Sequence, residues 1–409
     1  MDQSALIPHL FRTEFGRITS VLAWRFGIAH IEVAEDIAGE TFLAAMETWP
    51  YKGIPDNPTG WLYTVAANKA KNYLARDTNF QKKIVPELRR GEEAVNAQDI
   101  DLSPGNIKDS QLRMLFAICH PAIPQEAQIG LALRVLCGLG IDEIAHALLS
   151  NKETINKRLH RAKERLRDEG IIIDLPPAAE IEQRLDTVLT TLYLLFNEGY
   201  YSETHDEMIR EDLCREAIRL ASLLTESEQT NIPAVNALLA LMCFHASRFA
   251  ARRDSEGDMV LYADQDESLW DQQLIARGVG YINAASRGER LSRYHVEAGI
   301  AYWHTIKEDT PEKWENILQL YNILLQIQYS PVAALNRTFA LAKARSKEEA
   351  ITEAEKLQLT TNPYYYTLLG ELYADQDQAK ARSYLDKALS LAVTRADRRS
   401  IRQKLDRLS

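Results

Sequence analysis

Apolar residues fall at helical spacing through most of this chain, so the pattern predicts an all-α protein. Residues 4–26 read as one amphipathic helix, with Leu6, Leu10, Ile18, Val21, Leu22 and Trp24 among its apolar positions. Residues 31–49 read as a second. Ile37, Thr41, Ala44 and Ala45 mark its inward side, while Glu32, Glu35, Asp36, Glu40 and Glu47 make much of the remainder acidic. Three prolines and a glycine between Pro50 and Pro58 predict a loop. A helix over residues 60–76 follows, after which periodicity is lost over 77–108. The polar, acidic run GEEAVNAQDIDLSPGN within that stretch reads as a linker. Helical pattern resumes at Ser110, broken by a turn from Pro121 to Pro124.

The densest signal lies between Ile141 and Arg167. Ile141, Ile144, Ala145, Leu148 and Leu149 share one face of a short helix. Ser150 and Glu153 form an S-x-x-E capping box, which predicts a new helix start. In the second helix Ile155, Leu159, Ala162 and Leu166 make one apolar stripe. Lys152, Asn156, Lys157, Arg158, His160, Arg161, Lys163 and Arg165 lie largely off it. A helix, a tight turn and a basic second helix form the helix-turn-helix pattern, whose second helix enters a DNA major groove. The plainer alternative is a helical hairpin with a solvated basic face.

Residues 60–76 bear on that choice. Trp61, Tyr63 and Tyr73 sit among Lys69, Lys71 and Arg76, with Asn68 and Asn72 one turn apart. Aromatic rings stack on unpaired bases while cations follow the phosphates, so this mixture suits a single nucleic-acid strand. The alternative is a helix whose rings are core and whose lysines are merely solvated.

Length and charge narrow the class. The chain has 409 residues, which favours two or three domains. The net charge of −10 argues against indiscriminate nucleic-acid coating. It is uneven, however: residues 69–90 and 151–167 each hold seven basic and two acidic residues. Four scattered cysteines, Cys119, Cys137, Cys214 and Cys243, without a C-x-x-C, predict buried reduced thiols and a cytoplasmic protein. No signal-peptide pattern and no run of 18 apolar residues occurs, so no membrane association is expected.

Taken in order, the AEDIAGETFLAAMETW helix, the WLYTVAANKAKNYLAR helix, a linker and a helix-turn-helix ending RLHRAKERLR resemble the extracytoplasmic-function (ECF) group of sigma-70 RNA polymerase sigma factors. The resemblance covers residues 5–170. It implies that Asp36, Glu40, Thr41 and Phe42 grip the β′ clamp helices of the polymerase core. It implies that Trp61, Asn68, Lys71, Asn72 and Tyr73 hold the opened −10 element. It also implies that Asn156, Lys157, His160 and Arg161 face the −35 groove, that Arg158 and Arg165 touch phosphates, and that this module meets the β flap. Asn156 stands where many relatives carry Arg. Arg pairs best with guanine and Asn with adenine, which leaves base preference there open. Such a factor is no enzyme and needs no cofactor or metal.

Beyond Pro176-Pro177 another 230 or so residues read as helices over 180–196, 210–224, 233–253, 270–286, 293–306, 312–328 and 332–344. Asn197-Glu198-Gly199 reads as a helix stop. Tyr366, Leu369, Gly370 and Tyr373 match first-helix tetratricopeptide (TPR) spacing, and Ala381, Leu385 and Ala388 follow near the second-helix spacing. Stretches such as LYLLFNEGYYS and SPVAALNR resemble the extension of an ECF branch whose TPR-like domain is thought to regulate it. The implied layout is region 2 over 1–77, a linker over 78–108, region 4 over 109–172 and a regulatory extension over 176–409, with a protein or peptide as its partner. Asp264, Asp266, Glu267 and Trp270 form an acidic cluster without a nucleophile or phosphate loop, so capping and packing are expected of them. The competing function is a one-component helix-turn-helix regulator with a TPR-like sensor.

Overall fold

The computed structural model describes residues 3–76, 100–148, 150–200, 211–252, 254, 260–393 and 395–408. The GEEAVNAQD part of the expected linker and the apolar position at Leu149 lie outside them. Every regular element among the described residues is helical, as the periodicity requires. None of these helices is long and apolar enough to cross a membrane. The chain divides into two compact units, residues 1–195 and 196–409.

In the first unit α1 (Gln3–Phe26) is the central element, with Phe15, Ile18, Val21, Leu22 and Phe26 at most 2% exposed. Against it pack α2 (Ile31–Lys52), through Ala34, Ala38, Phe42 and Ala45, and α3 (Pro58–Arg76), through Leu62 and Ala66. The α2 helix runs through Pro50 and stops at Gly53, whose φ of 83° suits glycine. The expected loop therefore starts three residues late. Proline has already lost its N–H, but the helix survives because Trp49 anchors its last turn in the core at 4% exposure.

The other face of α1 receives α4 (Pro104–Ile118), capped by Ser103, and the segment after α5 (Gln125–Leu131). That segment, Ala132–Leu136, is a single wide π turn. Here α1 comes so close that a Cβ at Gly16 would lie 2.2 Å from the carbonyl oxygen of Leu136. The helix-turn-helix follows as α6 (Ile141–Ala147) and α7 (Lys152–Asp168). Next comes α8 (Ala178–Tyr200). Its Arg184 donates to the Phe116 carbonyl (2.6 Å), and its Thr191 donates to Gln128 Oε1 (2.9 Å).

The expected stop at Asn197-Glu198-Gly199 does not occur, because α8 continues to Tyr200. Tyr200 is 3% exposed, stacks on Phe196 and lies 4.5 Å from the His245 ring. Burying an aromatic ring contributes about 1.5–3 kcal/mol, more than the roughly 1 kcal/mol that a mid-helix glycine costs.

The second unit continues with α9 (Glu211–Leu223), α10 (Pro233–Ala246), α11 (Gln272–Ala285) and α12 (Arg293–Trp303). The apolar α10 is buried nearly all round, as expected of a helix packed on several sides. Helices that pack on their chain neighbours follow: α13 (Pro311–Ile327) with α14 (Pro331–Ala344), α15 (Lys347–Leu357), then α16 (Pro363–Tyr373) with α17 (Gln378–Leu391), and α18 (Arg395–Arg407). Leu369, Tyr373 and Ala381 share one core with Trp314 and Ile317, while Leu385, Ala388 and Ile401 form the next.

At Gly370 α16 and α17 come close together, since an added Cβ would stand 2.6 Å from Leu385 Cγ. Gly370→Ala would gain about 1 kcal/mol of helix propensity but lose about 1–3 kcal/mol to overpacking. A net loss is expected in urea unfolding. Gly280→Ala, in α11 where a Cβ meets nothing within 4 Å, should raise stability by up to about 1 kcal/mol.

Candidate nucleic-acid interface

The geometry of α7 separates a packed back from a polar front. Ile155, Leu159, Ala162 and Leu166 are at most 4% exposed. Gly130 lets Leu159 settle against α5, where a Cβ would lie 2.9 Å from Leu159 Cδ2. Asn156, Lys157, His160, Arg161 and Arg165 are exposed, and Arg158 is half-buried. Lys157 pairs with Glu153 (2.6 Å) and Arg165 with Glu169 (2.7 Å), both at the surface. His160 Nδ1 lies 3.2 Å from Glu164. Exposed pairs of this kind contribute about 0–1 kcal/mol, so these cations exchange partners readily when a polyanion arrives. Lys163 differs: its ammonium turns away from this front to Glu35 of α2.

The cap of α7 is one residue later than the expected box. Asn151, not Ser150, is the N-cap, and its Oδ1 accepts from the Thr154 N–H at 2.8 Å. Asn and Ser cap equally well, so the sequence offered two adjacent candidates. The chain settles the choice by closing the preceding turn through Ser150 N–H to the Ala145 carbonyl (2.8 Å).

On α3, Asn68, Lys71 and Asn72 are exposed and, at spacings of three and four, share one stripe. Trp61 and Tyr73 are partly buried. Trp61 meets Trp49 edge-on at 5.4 Å, and Tyr73 lies 5.6 Å from Phe26. Each ring thus packs on one side and reaches the surface on the other. Tyr63 belongs to the interior. It donates to the buried carboxylate of Glu14 (2.5 Å), which also accepts from Arg17 (3.0 Å), and burial together with Glu14 holds its phenol well above the usual range.

The acidic helix α2 is more divided than its sequence indicates. Asp36 and Glu40 are exposed, Glu40 pairing with Lys69 at 2.7 Å. Thr41 is fully buried, its hydroxyl donating to the Ile37 carbonyl (2.7 Å), and Phe42 is 3% exposed. Glu35, read as part of the solvated face, is only 6% exposed. Conversely, Leu43 (53% exposed) and Met46 (57%) stand outside. With Ile7, Pro8, Phe11, Gly39 and Phe42 they line a shallow apolar groove of about 480 Å³. Sequence reading missed these two. For Leu43 the signal was available, since positions 36, 40, 43 and 47 fall on one helical face; Met46 lies one turn on from Leu43 at its edge.

The acidic cluster of the second unit does the packing expected of it. Asp266 Oδ1 accepts from Ser268 N–H (2.9 Å), Asp271 caps α11, and Trp270 is 4% exposed. The loop around it is stapled by Lys307, whose ammonium donates to the carbonyls of Tyr262, Ala263 and Gln265 at 2.8–2.9 Å. Lys313 donates to Tyr262 Oη at 2.9 Å. Burial pushes the Cys119 thiol up to about 12, and the neighbouring His120 Nδ1 accepts from Ala122 N–H (3.1 Å), which makes both turn components. His295 Nδ1 likewise accepts from Ser292 N–H (3.1 Å). Burial pushes His245 far below its ordinary value, keeping it neutral among Phe196 and Tyr200.

Comparison with known proteins gives two family matches and several relatives. The sigma-70 region 2 family matches residues 11–80, which span most of α1 and all of α2 and α3. A family of unknown function (DUF6596) matches residues 184–286. An uncharacterized protein of Rhizobium meliloti is 35% identical over 386 residues, 93% of this chain and 91% of its own. The RNA polymerase sigma factor YlaC of Bacillus subtilis is 27% identical over 162 residues, 39% of this chain and 90% of that factor. The ECF RNA polymerase sigma-E factor of Haemophilus influenzae is 29% identical over 108 residues, 25% of this chain and 57% of that factor. No solved structure matches the chain.

The shifted cap gives a direct check on α7. Asn151→Ala should cost about 0.5–2 kcal/mol in urea unfolding. Ser150→Ala should stay within about 0.5 kcal/mol. The reverse ranking would restore Ser150 as the cap.

Proposed function

We propose a sigma factor of the ECF type on the premise of kinship: the chain belongs to the same family as the Rhizobium meliloti protein, and its region 2 and shorter relatives support a sigma-70 family factor. In this reading residues 1–77 bind core polymerase and the −10 element, and 78–108 link them to a region 4 module over 109–172 that reads the −35 element. Residues 176–409 form a TPR-like extension that controls activity, its partner a protein or peptide. The protein acts in the bacterial cytoplasm. It breaks no bonds; holding melted strands lowers the free energy of the open promoter, and the polymerase performs the chemistry.

The observation that carries the reading is the division of labour within region 2. One exposed face of α2 offers Asp36 and Glu40 around the apolar Leu43 and Met46, a mixture suited to the side of a partner helix. A different helix, α3, offers amides and a cation, suited to a strand. A protein that binds only duplex DNA through α7 has no use for either. Thr41 and Phe42 support the α2 face from inside, while Leu43 and Met46 join the acids in making it. On α7, Asn156, Lys157, His160 and Arg161 face the groove, with Arg158 and Arg165 towards phosphates.

Single substitutions separate these surfaces. Leu43→Glu alters a half-exposed residue, so the fold should persist while affinity for core polymerase falls at least about tenfold. Asn72→Ala should leave that affinity unchanged and slow promoter opening, read by fluorescence of a base analogue in the −10 element. Arg161→Ala should weaken use of the −35 element by about 1–3 kcal/mol. Equal losses of polymerase affinity in all three would contradict the assignment.

A further inference from the structure

The second unit gathers cations where no acid answers them. Arg248 follows the last turn of α10 and is 7% exposed. Its Nε is buried and has no hydrogen-bond partner. No carboxylate pairs with its guanidinium among the described residues. The end of α10 does not supply acceptors for it. The carbonyls of Cys243, His245 and Ala246 already accept from the backbone N–H groups of Ser247, Arg248 and Phe249, and the Phe244 carbonyl accepts from the Ser247 hydroxyl.

The guanidinium lies instead at the ring of Tyr262, 5.3 Å from its centroid. Lys313 Nζ stands 5.1 Å and Lys307 Nζ 5.4 Å from the same centroid. Lys313 is 1% exposed, while Tyr262 and Lys307 are partly exposed, so the cluster reaches the surface of the unit. Neutral groups hold both ammoniums: Tyr262 Oη and the Ile306 carbonyl for Lys313, and loop carbonyls for Lys307. Asp309, whose charge reaches Lys313, gives its carboxylate to Trp314 Nε1 and Lys343 (2.9 Å). Arg252 adds a further cation, 4.2 Å from the Tyr200 centroid.

Like charges drawn together in a partly buried place repel one another, and carbonyl dipoles offset this only in part. The groups between them register the field. Burial, with Arg248 and Lys313 adding to it, pushes His304 down to about 3. Burial also lowers Lys313. Trp270, stacked 6.3 Å from Tyr262 and 4% exposed, has an indole Nε1 without a partner among the described residues. A buried donor left unmatched costs more than a made hydrogen bond contributes. Unmatched donors and convergent positive charge at one ring call for a ligand rich in acceptors. The planar fork of an arginine fits a phosphate or carboxylate through paired N–H groups.

We infer that Arg248, flanked by Lys307 and Lys313, anchors a site on the second unit for a small molecule carrying an oxyanion, either a phosphate or a carboxylate. Its bound oxyanion ties the end of α10, the Tyr262 loop and the start of α13 together, which makes it a stabilising ligand. The site belongs to the second unit alone, so it neither needs the sigma reading nor falls with it. It gives the extension a small-molecule input distinct from a protein or peptide partner.

Thermal unfolding of the full chain tests the site with inorganic phosphate and with acetate, each against sodium chloride at equal ionic strength. At least one oxyanion should raise Tm saturably. Phosphate alone would assign the site to phosphate esters, and acetate as well would extend it to carboxylates. Arg248→Met keeps the apolar stem and removes the charge, so it should raise the half-saturating concentration at least about tenfold. Arg215→Ala, an exposed cation of the same unit, should leave it unchanged. Without added oxyanion, Arg248→Met should unfold no lower than the parent chain, because it removes a buried charge that has no partner. Arg248→Lys keeps the charge without the fork and serves where Arg248→Met fails to fold; it should weaken the response at least about threefold. No saturable rise with either oxyanion, or a rise that the Arg248 variants retain in full, would overturn the site. So would a folded Arg248→Met that unfolds well below the parent without oxyanion, since that marks a structural arginine.

Discussion

A carboxylate taken out of water must be answered by cations, and in this protein that requirement falls on Glu35. Its neighbours along α2 meet solvent or the apolar core, but Glu35 faces Arg134 and Lys163, which come from two segments far along the chain. The arrangement of the first unit depends on it. Arg134 brings the π turn and Lys163 brings α7 to the same side of α2, and α1 can lie flat against the turn only because residue 16 has no side chain. Charge sets the register, and the missing Cβ sets the distance.

Helices here serve several masters at once. One face of α2 supplies core residues, one edge supplies Glu35, and the outer face leaves Leu43 and Met46 in water beside Asp36 and Glu40. The α7 helix repeats the scheme, with an apolar back, Lys163 at the edge and a basic amide-bearing front. On the proposed function this is economical. The surfaces proposed to meet polymerase and DNA stay exposed, while the contacts that pack α2 on α7 lie on the edges between them.

Much of this was legible because helices announce themselves by period. The back of α7, the break before it and the near-continuous helices of the second unit follow from spacing alone. The repeat spacing also placed Gly370 and Leu385 on successive helices, though their close contact appeared only in the structure. Three kinds of feature were not legible. Helix ends were displaced where tertiary packing outweighed a local signal: Trp49 carried α2 past Pro50, and Tyr200 carried α8 past Gly199. The cap moved from Ser150 to Asn151 because adjacent residues competed on equal terms. The fate of Glu35 was hidden for a different reason. An acidic helix face shows which side is polar, but not which carboxylate will meet cations 99 and 128 residues away. Likewise Thr41 and Phe42 turned inward, while Leu43 and Met46 carry the exposed apolar surface that the acidic pattern masked.

The central claim is that this chain directs RNA polymerase to promoters. The measurement that tests it most directly is run-off transcription by purified bacterial core polymerase with the full-length protein, on a template carrying the DNA upstream of its own coding region. The account predicts a discrete transcript that requires the protein and has a fixed start. No transcript and no binding to core polymerase, alongside a shift of the same duplex by the protein alone, would contradict it and identify a one-component regulator.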